Sequence, residues 1–172
     1  ISVGAVSLTK TKSAFSLIRE IREFWDGALV LGGAISDGHA VRAAEVLGAD
    51  LAYMGTRFIA TRESNAQDAY KQMLVDAGAA DIVYTDAVSG TNANFLWPSL
   101  ERLGHRREEL VQGVGKGKLK ALADEAKAWR DVWSAGHGVA NIHDIPSVHE
   151  LCARLAAEYR AACALPPSPA VC

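Results

Sequence analysis

The sequence predicts an α/β fold built on a parallel sheet, and three observations support this. Two short apolar runs, residues 28–31 and 51–54, are typical of strands that are buried on both faces. A helix-length stretch precedes the first run, and a second lies between the two. The connections are short, so the order helix, strand, helix, strand favours parallel strands joined by crossover helices.

The two helices have recognisable beginnings and ends. Residues 13–25 predict an amphipathic helix that Ser13 can cap and that Asp26-Gly27 ends. Its apolar residues recur at helical spacing, and they are Phe15, Ile18, Ile21 and Trp25. The second helix begins at Ser36-Asp37-Gly38 and ends at Gly48.

Beyond residue 58 the pattern predicts a mixed α/β region and further helices. Ser64 is suited to cap a helix over 65–77, and a short strand follows over 81–85. The remaining expectations are a polar loop over 89–94, a short helix at Pro98, a loop over 106–118, a helix over 119–131, a loop over 133–141 and a last helix from Pro146-Ser147.

Composition excludes several classes of function. The chain has 172 residues, of which 49% are hydrophobic and 22% charged, so it can form a sizeable core. A net charge of −2 without a basic run argues against nucleic acid. No apolar stretch reaches the roughly 20 residues of a membrane span, and the first residues do not resemble a signal peptide. We interpret Cys152, Cys163 and Cys172 as free thiols of a cytoplasmic protein.

Glycines and small residues lie at the ends of both predicted strands, in segments 32–34 and 54–56, which together we call the cradle. Glycine lets backbone approach an anion closely, and a helix start offers unpaired N–H groups. Either segment alone is also compatible with a plain tight turn. Because parallel strands end at the same edge of a sheet, the pair predicts a phosphate site.

The residues around the cradle resemble a known family. The segments GGAISDG (32–38) and LGADLAYMGTRFIATRES (47–64) are similar to the FMN-dependent nitronate monooxygenases, formerly called 2-nitropropane dioxygenases. That family is related to flavin-dependent enoyl-acyl carrier protein reductases. The resemblance continues through 69–71, 81–85 and 128–136.

The resemblance implies a (β/α)8 barrel with a small α/β cap domain, of which this chain corresponds to the C-terminal half. It would contain the last two barrel strands, their helices, the cap and the C-terminal helix. The implied domains are the C-terminal part of the barrel (1–60), the cap (61–118), helices that pack back on the barrel (119–165) and a flexible tail (166–172).

The resemblance also implies which backbone holds the FMN phosphate. The matching residues are Gly33, Ala34, Tyr53, Met54, Gly55 and Thr56. The family often has glycine in place of Ala34 and glutamine in place of Tyr53. Arg57 follows the cradle, where it can balance phosphate charge or form a structural ion pair.

No catalytic residue is assigned from the sequence. The family's Gly-Gly-His segment, with a histidine near the flavin, would fall at or before the start of this chain, and residues 1–6 do not contain it. His137 lies in a loop that in the family folds back towards the flavin, often with glutamine at that position. His39 is expected to be a surface histidine, and the histidine spacing gives no support for a metal site.

The chemistry implied by the resemblance is oxidation of an alkyl nitronate by O₂ through reduced flavin. Two alternatives stay open: an NAD(P)H-dependent flavin or enoyl reductase of the same superfamily, and a truncated chain without activity. A homo-oligomer or a missing N-terminal half is the expected protein partner, because an open piece of parallel sheet leaves strand edges unpaired.

Overall fold

A computed structural model describes residues 2–4, 13–88, 92–111 and 131–166. The strands are Ser2–Gly4 (β1), Val30–Gly32 (β2), Leu51–Tyr53 (β3), Ile82–Thr85 (β4) and Ala93–Leu96 (β5). The helices are Ala14–Arg22 (α1), Gly38–Leu47 (α2), Thr56–Ile59 (α3), Asp68–Asp76 (α4), Trp97–Glu101 (α5), Arg107–Val111 (α6) and Val148–Cys163 (α7). Two 3-10 turns cover Ala79–Asp81 and His137–Asn141.

The first half of the chain forms a three-stranded parallel sheet in the order β1-β2-β3. The predicted α/β class is therefore confirmed, but the expected two strands are joined by β1 as a third. Strand β2 begins at Val30 rather than at residue 28, because the Leu29 N–H donates to the Asp50 carboxylate (2.7 Å) instead of to a neighbouring strand.

Helices α1 and α2 cover one face of this sheet. The residues that form the core between them are Ile18, Ile21, Leu29, Leu31, Ile35, Ala44 and Ala49. On the opposite face Leu51 is 62% exposed and Tyr53 is 69% exposed. A parallel sheet is normally covered on both faces, so this apolar face is open.

Local capping explains the helix boundaries. The Asp37 carboxylate accepts from the Ala40 N–H (2.7 Å) at the start of α2, and Gly48 ends the helix with φ of 115°. Both boundaries confirm the prediction. Helix α1 ends at Arg22 instead of residue 25, and Phe15 is exposed rather than turned towards the core.

The middle of the chain differs from the prediction in three places. Strands β4 and β5 pair antiparallel, and β5 occupies part of the expected polar loop. Helix α4 begins after Gln67, because the Ser64 hydroxyl accepts from the Ala66 N–H instead of capping the helix. Helix α6 lies in the expected loop 106–118. The predicted helix over 119–131, except residue 131, and the tail beyond residue 166 lie outside the described residues.

Helix α7 returns the chain to α2, in the second βα unit. It begins as predicted, with a capping box in which Ser147 and Glu150 bond each other's backbone N–H. The Glu158 carboxylate accepts from the Gly38 N–H (2.8 Å), at the start of α2. A Cβ added to Gly38 would lie 2.3 Å from the Tyr159 nitrogen, so the two helices cross in close contact.

Candidate functional site

The two cradle segments lie side by side in the structure. Strands β2 and β3 end at Gly32 and Tyr53, which are direct partners in the parallel register. The chain leaves both strands at the same edge of the sheet, so 33–34 and 54–56 are neighbours. The sequence prediction that these segments meet is confirmed.

The first side of the cradle is an exposed turn with an unusual backbone. Gly33 and Ala34 have φ of 110° and 56°, two successive residues in the left-handed region, and both are exposed. Glycine adopts this region freely, whereas alanine is strained by about 1 kcal/mol there. The turn therefore presents backbone to solvent with only one methyl group beside it.

The second side is formed by Gly55 and the start of α3. A Cβ added to Gly55 would have no atom within 4 Å, so the space beside this residue is open. The Gly55 carbonyl accepts from the N–H groups of Phe58 (3.0 Å) and Ile59 (3.2 Å). By helix geometry, the N–H groups of Thr56 and Arg57 have no acceptor within α3.

Arg57 does not point into the cradle. Its side chain is 3% exposed, and its guanidinium donates to Asp144 Oδ1 (2.8 Å) and to the Ala60 carbonyl (3.4 Å). Burial lowers the pKa of Arg57, which the charge of Asp144 opposes. The hydrogen bond from Arg154, and then the charge of Arg57, lower the pKa of Asp144. Of the two readings left open for Arg57, the structural ion pair is the one that the structure contains.

A distant segment, residues 136–138, folds back onto both sides of the cradle. The Gly136 N–H donates to Thr56 Oγ1 (3.0 Å), and the Ser36 hydroxyl donates to the Gly138 carbonyl (2.8 Å). His137 lies between these two anchored glycines and is exposed. From the residues alone the sequence predicts only a loop here, whereas the family resemblance implies that this loop folds back towards the flavin.

The remaining candidates lie away from the cradle or have no ligand geometry. His39 is exposed on the first turn of α2, and Cys152 and Cys163 are exposed free thiols. Cys172 lies outside the described residues. Within residues 2–4, 13–88, 92–111 and 131–166, no three His, Cys, Asp or Glu side chains are placed to hold a metal ion. In the part of the chain that the structure describes, no helix is long and apolar enough to cross a membrane.

The comparison with protein families covers nearly the whole chain, including the cradle. The family profile described as nitronate monooxygenase matches residues 3–158. This chain belongs to the nitronate monooxygenase family. The resemblance carried by the cradle segments is thereby confirmed.

Curated members of the nitronate monooxygenase family are about twice as long as this chain or longer. A nitronate monooxygenase from Paraburkholderia phytofirmans is 30% identical over 154 residues, which cover 85% of this chain and 42% of the relative. A probable nitronate monooxygenase from Staphylococcus haemolyticus is 36% identical over 126 residues, which cover 69% of this chain and 35% of the relative. The chain thus spans less than half the length of these relatives.

Solved structures agree with this assignment. A nitroalkane oxidase from Streptomyces ansochromogenes superposes with a TM-score of 0.65 at 28% identity, over 87% of this chain and 44% of the other. A mutant of FabK from Thermotoga maritima gives a TM-score of 0.71 at 24% identity, over 94% of this chain and 52% of the other. At that identity the FabK likeness shows the fold alone.

Proposed function

We propose that this chain holds the phosphate of FMN for a flavin-dependent oxidoreductase of the nitronate monooxygenase type. The proposed contacts are backbone groups of Gly33, Ala34, Tyr53, Met54, Gly55 and Thr56, with the Thr56 hydroxyl in addition. The observation that carries this proposal is the meeting of both glycine-containing segments, as exposed backbone, at one edge of the parallel sheet.

The chemistry of the cradle fits a phosphate dianion. The ligand needs several N–H donors and room to approach them, and the open space beside Gly55 supplies that room. The Thr56 oxygen already accepts from the Gly136 N–H, which leaves the hydroxyl proton for an anion. Met54 is half-buried against the α1–α2 core, so its contribution would come from backbone.

FMN, when bound, would supply the electron transfer between an alkyl nitronate and O₂. The residues of this chain would fix the phosphate end and thereby the position of the flavin. His137, held beside the cradle by its two glycine neighbours, would line the pocket. We assign no catalytic acid or base in this chain.

We further propose that the three strands belong to a (β/α)8 barrel whose remaining part completes the enzyme. Leu51 and Tyr53 expose an apolar face that a barrel interior would cover. The relatives carry additional sequence of at least comparable length. In this proposal residues 1–60 belong to the barrel and 61–118 to the cap domain. Turnover then requires the remaining part of the barrel, whereas phosphate recognition lies in this chain.

Flavin binding by the purified 172-residue chain tests the phosphate proposal. FMN and riboflavin differ only in the phosphate group, so comparing their dissociation constants by flavin fluorescence isolates the cradle. We expect FMN to bind at least about tenfold more tightly than riboflavin, a difference of about 1.4 kcal/mol. FMN should also co-elute with the chain on gel filtration.

A matched pair of variants locates the binding. In Gly55→Val the added side chain enters the open space of the cradle, at a φ of −103° that valine accepts. Gly78→Val makes the same change at a glycine outside the cradle segments, at a φ of −107°. We expect the first variant to lose the preference for FMN and the second to retain it. Equal affinities for FMN and riboflavin in the unmodified chain, or no binding of either, would refute the proposal.

A further inference from the structure

We propose that residues 136–138 form a brace that sets the spacing between the two sides of the cradle, and that Gly138 is its positioning residue. The proposed function supplies only the identity of the ligand; the brace itself rests on contacts within the chain. None of its atoms has to touch the phosphate for it to affect binding.

The brace contacts both sides of the cradle through separate hydrogen bonds. Thr56 Oγ1, at the start of α3, accepts from the Gly136 N–H over 80 positions of sequence. The Ser36 hydroxyl, beyond the turn after β2, donates to the Gly138 carbonyl over 102 positions. Because a three-residue segment has little freedom to stretch, these two bonds limit how far apart Ser36 and Thr56 can lie beyond the paired ends of β2 and β3.

Gly138 leaves no space for a side chain at its contact with the turn. A Cβ at this position would lie 2.5 Å from Ser36 Oγ, 3.0 Å from the Ala34 carbonyl carbon and 3.1 Å from Ala34 Cα. Ala34 is the non-glycine residue in the left-handed region, with φ of 56°. The brace therefore packs directly on the strained backbone of the cradle and holds it in the conformation that presents it to solvent.

The brace is itself fixed to a second hydrophobic core, which is separate from the core between α1, α2 and the parallel sheet. The 3-10 turn His137–Asn141 contains Val139, which is fully buried, and Ile142 follows it at 1% exposure. Both belong to the core cluster that includes Leu74 and Leu96. Because close-packed cores resist deformation, this anchoring gives the brace a rigid support.

Thr56 links the brace to the ligand. A threonine hydroxyl has one proton to donate and two lone pairs that accept. One lone pair is used by the Gly136 N–H, and in the proposed function the proton points to the phosphate. Displacement of the brace should therefore weaken phosphate binding through this shared oxygen.

Amide hydrogen exchange of the ligand-free chain tests the brace without using flavin. In Gly138→Ala we expect the hydrogen-bonded amides of Gly136, Phe58 and Ile59 to exchange about tenfold faster, because the brace and the start of α3 open more often. The matched control Gly78→Ala adds a methyl group that meets only Asp81 Oδ2 at 3.9 Å, and it should leave these amides unchanged.

Affinity for FMN gives the second readout, with an expected loss of about tenfold in Gly138→Ala and none in Gly78→Ala. A folded Gly138→Ala chain with unchanged exchange at the amides of Gly136, Phe58 and Ile59 would overturn the brace, whatever its affinity. Absence of FMN binding in the unmodified chain would refute the proposed function while the exchange data still decide on the brace.

If Gly138→Ala does not fold, a pair of Thr56 variants replaces it. Thr56→Val keeps the shape of the side chain and removes the acceptor for the Gly136 N–H, whereas Thr56→Ser retains it. We expect faster exchange of the Gly136 amide in the valine variant only. Identical exchange in the two variants would overturn the brace.

Discussion

Asp144 is the counter-charge of the buried Arg57, which directly follows the cradle in the sequence. Removing the charge of Asp144 should therefore destabilise the fold. Arg57 is 3% exposed and donates to Asp144 Oδ1 (2.8 Å), while Arg154 donates to Oδ2 (2.6 Å). The variant Asp144→Asn keeps the shape of the side chain and removes its charge. Arg57 then stays buried with only the weaker charge interaction of Glu158 opposing its burial.

The magnitude follows from how much of the pair is buried. Removing one partner of a fully buried ion pair costs about 3–5 kcal/mol. The Asp144 side chain is 45% exposed, so water compensates part of the loss, and we expect a decrease of about 2 kcal/mol in the free energy of unfolding. For a chain of this size the decrease corresponds to a melting temperature lower by about 4–8 °C.

Urea unfolding followed by circular dichroism measures this difference, with Arg42→Gln as the matched control. Arg42 and Glu45 form a surface pair at 38% and 47% exposure, so its loss should leave the midpoint of urea unfolding nearly unchanged. Equal losses in Asp144→Asn and in the control would refute the reasoning, since burial would then make no difference.

The dependence on pH gives a second check of the same pair. The hydrogen bond from Arg154, followed by the charge of Arg57, lowers the pKa of Asp144 in the folded chain. A lowered pKa means that the carboxylate stabilises the fold above the unfolded pKa of about 3.9 and that this is lost as pH falls through the folded value. The stability gap between the unmodified chain and Asp144→Asn should therefore narrow below about pH 4. A gap that stays constant down to pH 2 would contradict the assignment.

Two further substitutions test the backbone. Ala34→Gly relieves the strain of an alanine in the left-handed region and should raise the free energy of unfolding by about 0.5–1 kcal/mol, measured as a higher melting temperature. An unchanged or lower melting temperature would show that Ala34 is not strained. Gly38→Ala would place a Cβ 2.3 Å from the Tyr159 nitrogen and 2.4 Å from the Leu155 carbonyl oxygen, and should cost about 3 kcal/mol in urea unfolding. A loss no larger than that of Gly78→Ala would show that α2 and α7 separate easily.

Features that depend on neighbouring residues could be predicted from the sequence. The ends of α2 follow from Asp37 and Gly48, and the start of α7 follows from Ser147, because capping uses groups within a few positions. The meeting of the two cradle segments was predictable for a related reason. Strand, helix and strand with short connections leave the parallel arrangement as the favoured one.

Features that depend on distant contacts could not be predicted. The start of strand β5, which contains the buried Asn94, has the polar composition of a loop. It forms a strand because β4 pairs with it. Three-residue β1 is too short to show a period. The pairing of Thr56 with Gly136 depends on packing across 80 positions, and no local pattern in the sequence indicates it.

The packing of α7 on α2 has a consequence for folding during synthesis. The cradle strands leave the ribosome before their supports, because residue 138 follows 102 positions after Ser36 and Glu158 follows 120 positions after Gly38. Contacts that close such long loops form slowly, because the chain loses the entropy of loop closure before the contacts contribute any stabilisation. A nascent chain therefore carries both halves of the cradle, with an open apolar sheet face, well before it can hold them in register. That interval is when the growing chain depends most on protection from aggregation.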